Sequence, residues 1–302
     1  MAEHIATFSK TRIAPTPSGY LHLGNVLSFA ITAALAKKHG AKILLRIDDL
    51  DRDRVNPLYV QDIFDTLHFL EIPYDEGPRD FADYESNWSQ IHRMEMYCRA
   101  VQQLKDNNDV FACSCSRTQI RNSNGDDIYP GNCRHKNILL DAENVSWRLK
   151  TDKAEQLNIK TLQGDIIKTH LPPAMQNFVV RKKDGYPSYQ LTSVLDDVYY
   201  GVDLIVRGQD LWASTLAQIY LAPHIGAGAF RDVTFYHHPL LVAPDNEKLS
   251  KSAGATSVYY LRKEGKKPTD VYNAIAKTLG FEQPLNKWED LGGLVDIFAT
   301  AP

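Results

Sequence analysis

The chain predicts an α/β fold, a Rossmann-like doubly wound parallel sheet, and three observations point to it. Strand-like and helix-like stretches alternate at both ends of the sequence; one candidate strand is a nearly continuous apolar run; and polar loops follow the carboxyl ends of those strands. A strand at 11–14 leads through Pro15-Thr16-Pro17-Ser18-Gly19 into an apolar helix over 26–38, which Gly40 can close in a left-handed cap. Lys42-Ile43-Leu44-Leu45-Arg46-Ile47 is a strand covered on both faces, and a polar loop, 48–56, emerges at its end. Asn56-Pro57 opens a second helix with apolar residues at 60, 63, 64, 67 and 70. A third helix over 87–105 carries the stripe Trp88, Ile91, Met94, Val101, which makes Cys98 a core residue.

Beyond that helix the pattern changes. Cysteines, Gly-Asn turns and short strands at 145–150 and 166–171 read as an α+β insertion between two halves of the sheet. Alternation returns with a strand at 178–181, an Asp184-Gly185 turn, a buried strand at 202–206 and a helix over 211–220. A small helical remainder follows, with Val271, Ile275 and Leu279 on one face. The expected division is 1–110 for the first half of the nucleotide fold, 111–175 for the insertion, 176–252 for the second half and 253–302 for a small helical, stem-contacting region.

With 302 residues, 43% hydrophobic and 24% charged, the chain reads as a soluble globular protein with a substantial core. The first ten residues hold no apolar signal core, and the longest uncharged stretch, 20–36, is interrupted by His, Gly, Asn, Ser and Thr. No membrane contact and a cytoplasmic location are expected. A formal charge of −3 gives no global nucleic-acid signature, so RNA contacts would use local clusters: Arg181-Lys182-Lys183, Arg262-Lys263 with Lys266-Lys267, or Arg134-His135-Lys136.

Two short signals carry the chemistry. His22-Leu23-Gly24-Asn25 opens the first helix, where backbone N–H groups and the helix dipole favour an anion. Lys248-Leu249-Ser250-Lys251-Ser252 packs two lysines and two hydroxyls into one polar loop, suited to neutralising charge as pyrophosphate leaves. Each alone is commonplace, a helix cap and a solvated loop. Together they suggest adenylylation by ATP.

Cys113-Ser114-Cys115 and Tyr129-Pro130-Gly131-Asn132-Cys133 give three thiols and a phenol within 21 residues. In a reducing compartment such density suggests one closed, structural tetrahedral zinc site rather than disulfides. Metal chemistry alone favours His135 as the fourth ligand, since three cysteines and one histidine are a common set.

With these pieces in place, the chain resembles the class I aminoacyl-tRNA synthetases, and within them the glutamyl-queuosine tRNA(Asp) synthetases, the shortened paralogues of glutamyl-tRNA synthetase. The resemblance covers roughly 12–252. It rests on Arg12-Ile13-Ala14-Pro15-Thr16-Pro17-Ser18-Gly19, His22-Leu23-Gly24-Asn25, Leu45-Arg46-Ile47-Asp48-Asp49, the cysteine blocks, Tyr189-Gln190-Leu191, Val206-Arg207-Gly208-Gln209-Asp210 and the lysine loop. It implies a class I catalytic core, with Tyr129 rather than His135 completing the zinc set. It also implies that glutamate is bound by Arg12 and Arg207 through its carboxylates, by the Tyr189 phenol, and by a pocket wall at Ile13, Ala14, Pro15 and Thr16. His22, Gly24 and Asn25 would hold ATP. Lys248 and Lys251 would stabilise the transition state at the α-phosphate, with Mg²⁺ accompanying the nucleotide.

One departure stands out: the family has Glu where this chain has Asp48, the carboxylate that receives the substrate ammonium. Either the strand end moves inward, Asp49 helps, or amino-acid binding weakens. Only 50 residues follow Ser252, too few for the helical anticodon-binding region of a full glutamyl-tRNA synthetase. The resemblance implies queuosine in the anticodon loop of tRNA(Asp) as the acceptor, met directly by the catalytic domain, and a monomer is expected. A truncated enzyme charging the 3′ end of a tRNA and a non-catalytic RNA-binding paralogue are the alternatives.

Overall fold

The structure is a computed structural model and describes residues 6–124, 128–241 and 257–295. In chain order these form β1 (Lys10–Ile13), α1 (Leu23–His39), β2 (Lys42–Leu45), α2 (Pro57–Phe69), the single turn α3 (Phe81–Asp83), α4 (Met94–Asp106), β3 (Val110–Cys113), α5 (Arg117–Asn124), β4 (Ser146–Leu149), β5 (Gln156–Thr161), β6 (Ile166–His170), β7 (Val179–Arg181), α6 (Tyr189–Tyr199), β8 (Leu204–Gly208), α7 (Trp212–Leu221), β9 (Thr234–His238), α8 (Val258–Lys263) and α9 (Pro268–Thr278). They divide into two compact units, one built from 1–92, 202–210 and 235–302, the other from 93–201 and 211–234.

The first unit holds the parallel strands. β1 and β2 pair in parallel from Lys10 opposite Lys42 to Ile13 opposite Leu45. The ladder continues past both ends, with Arg46 N donating to Ile13 O and Asp48 N to Pro15 O, each at 2.9 Å. β8 is tied to β1 through Asp203, whose N–H donates to Lys10 O and whose carboxylate accepts from Ser9 N and Lys10 N. β9 runs beside β8. α1 is buried on almost every side, with Val26, Leu27, Ala30, Ile31 and Leu35 inaccessible, which explains an apolar helix with little polar face. Gly40 closes it at φ 72°, a left-handed conformation that an L side chain would strain. Asn56 caps α2 by accepting from Leu58 N at 2.9 Å, Pro57 fills the first turn, and Val60, Ile63, Phe64, Leu67 and Leu70 are all buried, as their spacing predicts. Behind α1, the short helical segment Trp288–Leu294 comes close enough that a Cβ on Gly292 would stand 3.3 Å from Ala34 Cβ.

The expected helix over 87–105 is corrected. A π-type turn, Tyr84–Trp88, and a 3₁₀ turn, Gln90–Arg93, precede α4, which starts only at Met94. The buried face is Tyr97, Ala100, Val101 and Leu104; Cys98 and Ile91 are exposed. The cause is local. Ser89 and Gln90 are drawn onto the buried Asp49 carboxylate, which breaks the 3.6-residue phase on which the stripe depended.

In the second unit β3, β4 and β7 form an antiparallel sheet, with Val110 opposite Leu149 and a register shift between Trp147 and Arg148. β5 and β6 form a hairpin turned at Gly164, φ 89°. α6 was not legible in the sequence. Its inner face includes Leu191 and Val194 but also Asp196, which is buried because the Arg93 guanidinium bonds both its oxygens (2.8 and 3.1 Å) and the Tyr97 hydroxyl donates at 2.6 Å. A carboxylate on an apolar face hides the helical period, and the arginine just before α4, with the Tyr97 hydroxyl, makes its burial tolerable.

Candidate functional site

The carboxyl ends of the first unit's strands collect charge in an otherwise apolar interior. Arg12 is buried on β1 and donates from Nη1 to Val206 O at 3.1 Å. Arg207, at the end of β8, is equally buried, its guanidinium 5.8 Å from the Phe235 ring. Strand pleating puts Arg12, opposite Leu44, on the face that also carries Arg46 and Asp48 two and four residues further along. There Arg46 grips Asp48 in a fork, Nε to Oδ1 at 2.7 Å and Nη2 to Oδ2 at 3.1 Å. Ile13 and Pro15 are buried beside them and Thr16 is exposed. Three guanidiniums against the Asp48 carboxylate, and Asp210 beside the end of β8, leave the strand ends net cationic, which suits an anionic ligand.

His237 on β9 belongs to the same environment. Burial, then the positive charges of Arg207, His238 and Arg12, hold its pKa down at about 3, so the ring is neutral at pH 7. No sequence signal singled out His237 or Arg46. The first sits in a strand left unread at sequence level, and the second shows its role only through its distance to Asp48.

Asp49 points elsewhere. Its carboxylate accepts from Arg52 Nη1 (2.6 Å), the Tyr84 hydroxyl (2.6 Å), the Ser89 hydroxyl and Gln90 N (2.8 Å). It is a buried staple for 84–90, with four donors already on its two oxygens.

His22 is the N-cap of α1. Its Nδ1 accepts from Gly24 N at 3.1 Å, while Asn25 Oδ1 accepts from His22 N at 3.0 Å. In this structure the imidazole does the work of a cap, and the helix start it organises is the anion-favouring end of α1. Lys248 and Lys251 lie outside the described residues. The chain is described again from Ser257, which bridges to His22, and Val258 N donates to Leu21 O at 2.8 Å. Tyr189 is the first residue of α6 in the second unit and is 41% exposed.

The second unit carries the thiol cluster. The sulfurs of Cys113, Cys115 and Cys133 all lie within 4.8 Å of one another, with Cys115 and Cys133 3.6 Å apart. The Tyr129 oxygen accepts from Cys133 N at 2.9 Å and its ring lies 3.8 Å beneath the Arg148 guanidinium. Burial opposes ionisation of Cys133, but hydrogen bonds from Cys115, Tyr129, Ser114 N and Cys113 bring its pKa down to about 7. Burial and the bond to Cys133 push Cys115 up to about 11, and burial chiefly raises Tyr129. The three thiols could hold a metal ion. His135 is exposed and, among the described residues, stands outside the group.

The basic clusters are largely engaged within the molecule. Arg181 lies 4.9 Å from the Trp147 ring, Lys182 pairs with Asp184 at 2.9 Å, and Lys183 Nζ donates to Ser114 O at 2.7 Å. Arg134 donates to Thr151 O and Asn177 Oδ1, both at 2.9 Å.

Comparison with known proteins decides the class. Residues 9–288 match the family model of the class I tRNA synthetases (E and Q), catalytic domain. The chain belongs to that family. It is an ATP-dependent ligase of the aminoacyl-tRNA synthetase type, with the α/β catalytic fold and parallel sheet of class I. A protein named glutamyl-Q tRNA(Asp) synthetase in Pseudomonas aeruginosa (strain LESB58) is 36% identical over 241 residues, 80% of this chain and 76% of its own length. One of the same name in Symbiobacterium thermophilum is 35% identical over 292 residues, 90% of this chain and 87% of its own. In fold the chain is similar to a crystal structure of glutamate-tRNA synthetase from Elizabethkingia anophelis (TM-score 0.71, 22% identity), covering 89% of this chain and 61% of that one. This chain thus spans about three fifths of the solved relative. Among the described residues no helix is long and apolar enough to cross a membrane.

Proposed function

We propose that the chain activates L-glutamate with ATP and transfers it to the queuosine base in the anticodon loop of tRNA(Asp). The observation that carries this reading is the paired burial of Arg12 and Arg207 at the strand ends, with Asp48 as the nearby anion. Two guanidinium forks match the carboxylates of an acidic amino acid, and a carboxylate matches its ammonium. Ile13, Ala14, Pro15 and Thr16 would wall the pocket and Tyr189 would donate its phenol. A neutral His237 fits, because it adds no positive charge that would bind the substrate without orienting it. Support for the acceptor comes from the names of the relatives that match over most of their length.

An oxygen of the glutamate α-carboxylate attacks the ATP α-phosphorus as the bond to the bridging oxygen breaks and pyrophosphate leaves; Mg²⁺ accompanying the nucleotide would screen the phosphate charges. His22, Gly24 and Asn25 would hold the phosphates, and Lys248 and Lys251 would offset the charge that develops there. A hydroxyl of the cyclopentene diol then attacks the acyl carbon, AMP departs, and an ester forms. Fixing the reactive adenylate beside the hydroxyl supplies much of the second step.

The cysteine module fits a structural zinc ion held by Cys113, Cys115 and Cys133 with Tyr129. Three clustered thiols, one of them prone to ionise near neutrality, match what such an ion selects. The reading extends to a cytoplasmic monomer and to the modules 1–110, 111–175, 176–252 and 253–302.

The test is transfer of radiolabelled glutamate onto tRNA(Asp) with and without queuosine. Labelling only of the modified tRNA is expected. Labelling that ignores the base and is abolished by blocking the 3′-terminal ribose would instead identify a 3′-charging synthetase. No labelling of any RNA would identify a binding paralogue.

A further inference from the structure

Two segments far apart in sequence are stitched together beside the α1 N-terminus. On one side are Tyr20 and Leu21, immediately before His22; on the other are Ser257 to Lys263, which resume the described chain six residues after Lys251. The rings of Tyr20 and Tyr259 stack at 4.1 Å, only 9° from parallel. Tyr59 of α2 meets the Tyr20 ring edge-on at 5.0 Å, and Lys263 lies 4.5 Å from the Tyr259 ring. Beneath the stack Val258 N donates to Leu21 O at 2.8 Å.

Asp62 of α2 joins the two sides. Its side chain is almost wholly buried, yet it lies on a helix whose other inward residues are apolar or Thr66. One oxygen accepts from Leu21 N at 3.1 Å; the other takes the Arg262 guanidinium. Arg262 also reaches Asp65 at 3.5 Å. A buried carboxylate is costly unless its partners satisfy it, and here, besides the Thr66 hydroxyl of its own helix at 3.4 Å, one partner comes from each of the two segments. Loss of either removes a donor from a buried anion, which couples the placement of the two segments.

We propose that Asp62, Tyr20 and Tyr259 are positioning residues for adenylate formation: they anchor the chain leaving the lysine loop, at Ser257 and Val258, to the loop that carries His22. None of the three touches substrate in this account. They act by fixing where the His22 loop and the segment from Ser257 to Lys263 stand relative to each other. An error of about 1 Å in such a placement costs up to about a hundredfold in rate while leaving amino-acid binding intact.

The inference rests on the adenylation reading, and the experiment separates the two. ATP–pyrophosphate exchange is measured on the full chain as wild type, Tyr259→Ala, Tyr259→Phe and Asp62→Asn, with melting temperatures recorded alongside. Tyr259→Ala and Asp62→Asn are expected to lower kcat by about tenfold or more with the glutamate KM held within about twofold. Tyr259→Phe, which keeps the ring stack, is expected to recover most of the rate. A Tyr259→Ala protein that melts like wild type and exchanges at the wild-type kcat overturns this inference alone. So does one in which the glutamate KM rises and kcat does not fall. A wild type that exchanges with no amino acid overturns the adenylation reading, and this inference with it, before any variant is compared.

Discussion

Asp48 and Asp49 are neighbours in sequence with separate tasks, and substituting Asp49 exposes the difference. Its carboxylate satisfies the Tyr84 and Ser89 hydroxyls and the Gln90 N–H inside the core, and it pairs with Arg52, whose side chain is partly exposed. In Asp49→Ala three buried donors lose their acceptor, at about 1 kcal/mol or more each. Arg52 can turn to water and adds little. The expected loss is about 3–5 kcal/mol, a large part of the roughly 5–15 kcal/mol that holds a domain together. In a protein of this size it lowers the melting temperature by about 6–15 °C. Asp49→Asn keeps the shape but aims an amide donor at other donors, and falls between. The assay is thermal or urea unfolding, paired with the glutamate KM in pyrophosphate exchange at a temperature where the variant is folded. Unfolding within about 1 °C of wild type, together with a glutamate KM raised about tenfold, would refute the assignment and return Asp49 to the amino-acid pocket.

Three further outcomes follow from the same geometry. Asp196→Ala strands a buried guanidinium and the Tyr97 hydroxyl and should cost about 3–5 kcal/mol in urea unfolding, whereas Arg93→Met with Asp196→Leu should recover most of that loss. His237 has a folded pKa of about 3 against an ordinary 6.5, so the folded state disfavours the proton. Stability from this group is therefore present above pH 6.5 and lost as pH falls towards 3, and in His237→Gln the urea midpoint should fall less between pH 7 and pH 5. Cys98 is exposed while Cys113 and Cys133 are buried and the half-buried Cys115 thiol is pushed up to about 11, so a thiol-specific chromophoric reagent should titrate one thiol quickly in the native protein, and Cys98→Ser should remove that fast phase.

Much of the first unit was legible because its signals are local. β2 is buried on both faces and reads as an apolar run; α2 announces itself by Asn56-Pro57 and α1 ends at Gly40. Arg12, Arg207 and Asp48 were found through motif blocks and do sit at strand ends. The features that escaped depend on long-range partners. The phase of α4 is reset by Asp49, some 40 residues earlier in the chain. α6 buries Asp196 because of Arg93, more than a hundred residues away. Arg46 reads as part of a strand, and only the distance to Asp48 shows that it clamps that carboxylate, the one proposed to receive the substrate ammonium. That clamp bears on the missing methylene: a shorter acid held in a fork is kept in one place rather than extended towards the ligand.

The most direct test of the account is ATP–pyrophosphate exchange by the wild-type chain against a panel of amino acids. Buried Arg12 and Arg207 with Asp48 predict exchange that depends on glutamate and is weak with glutamine or aspartate. Faster exchange with aspartate, or with any amino acid lacking a side-chain carboxylate, would contradict the reading of the pocket.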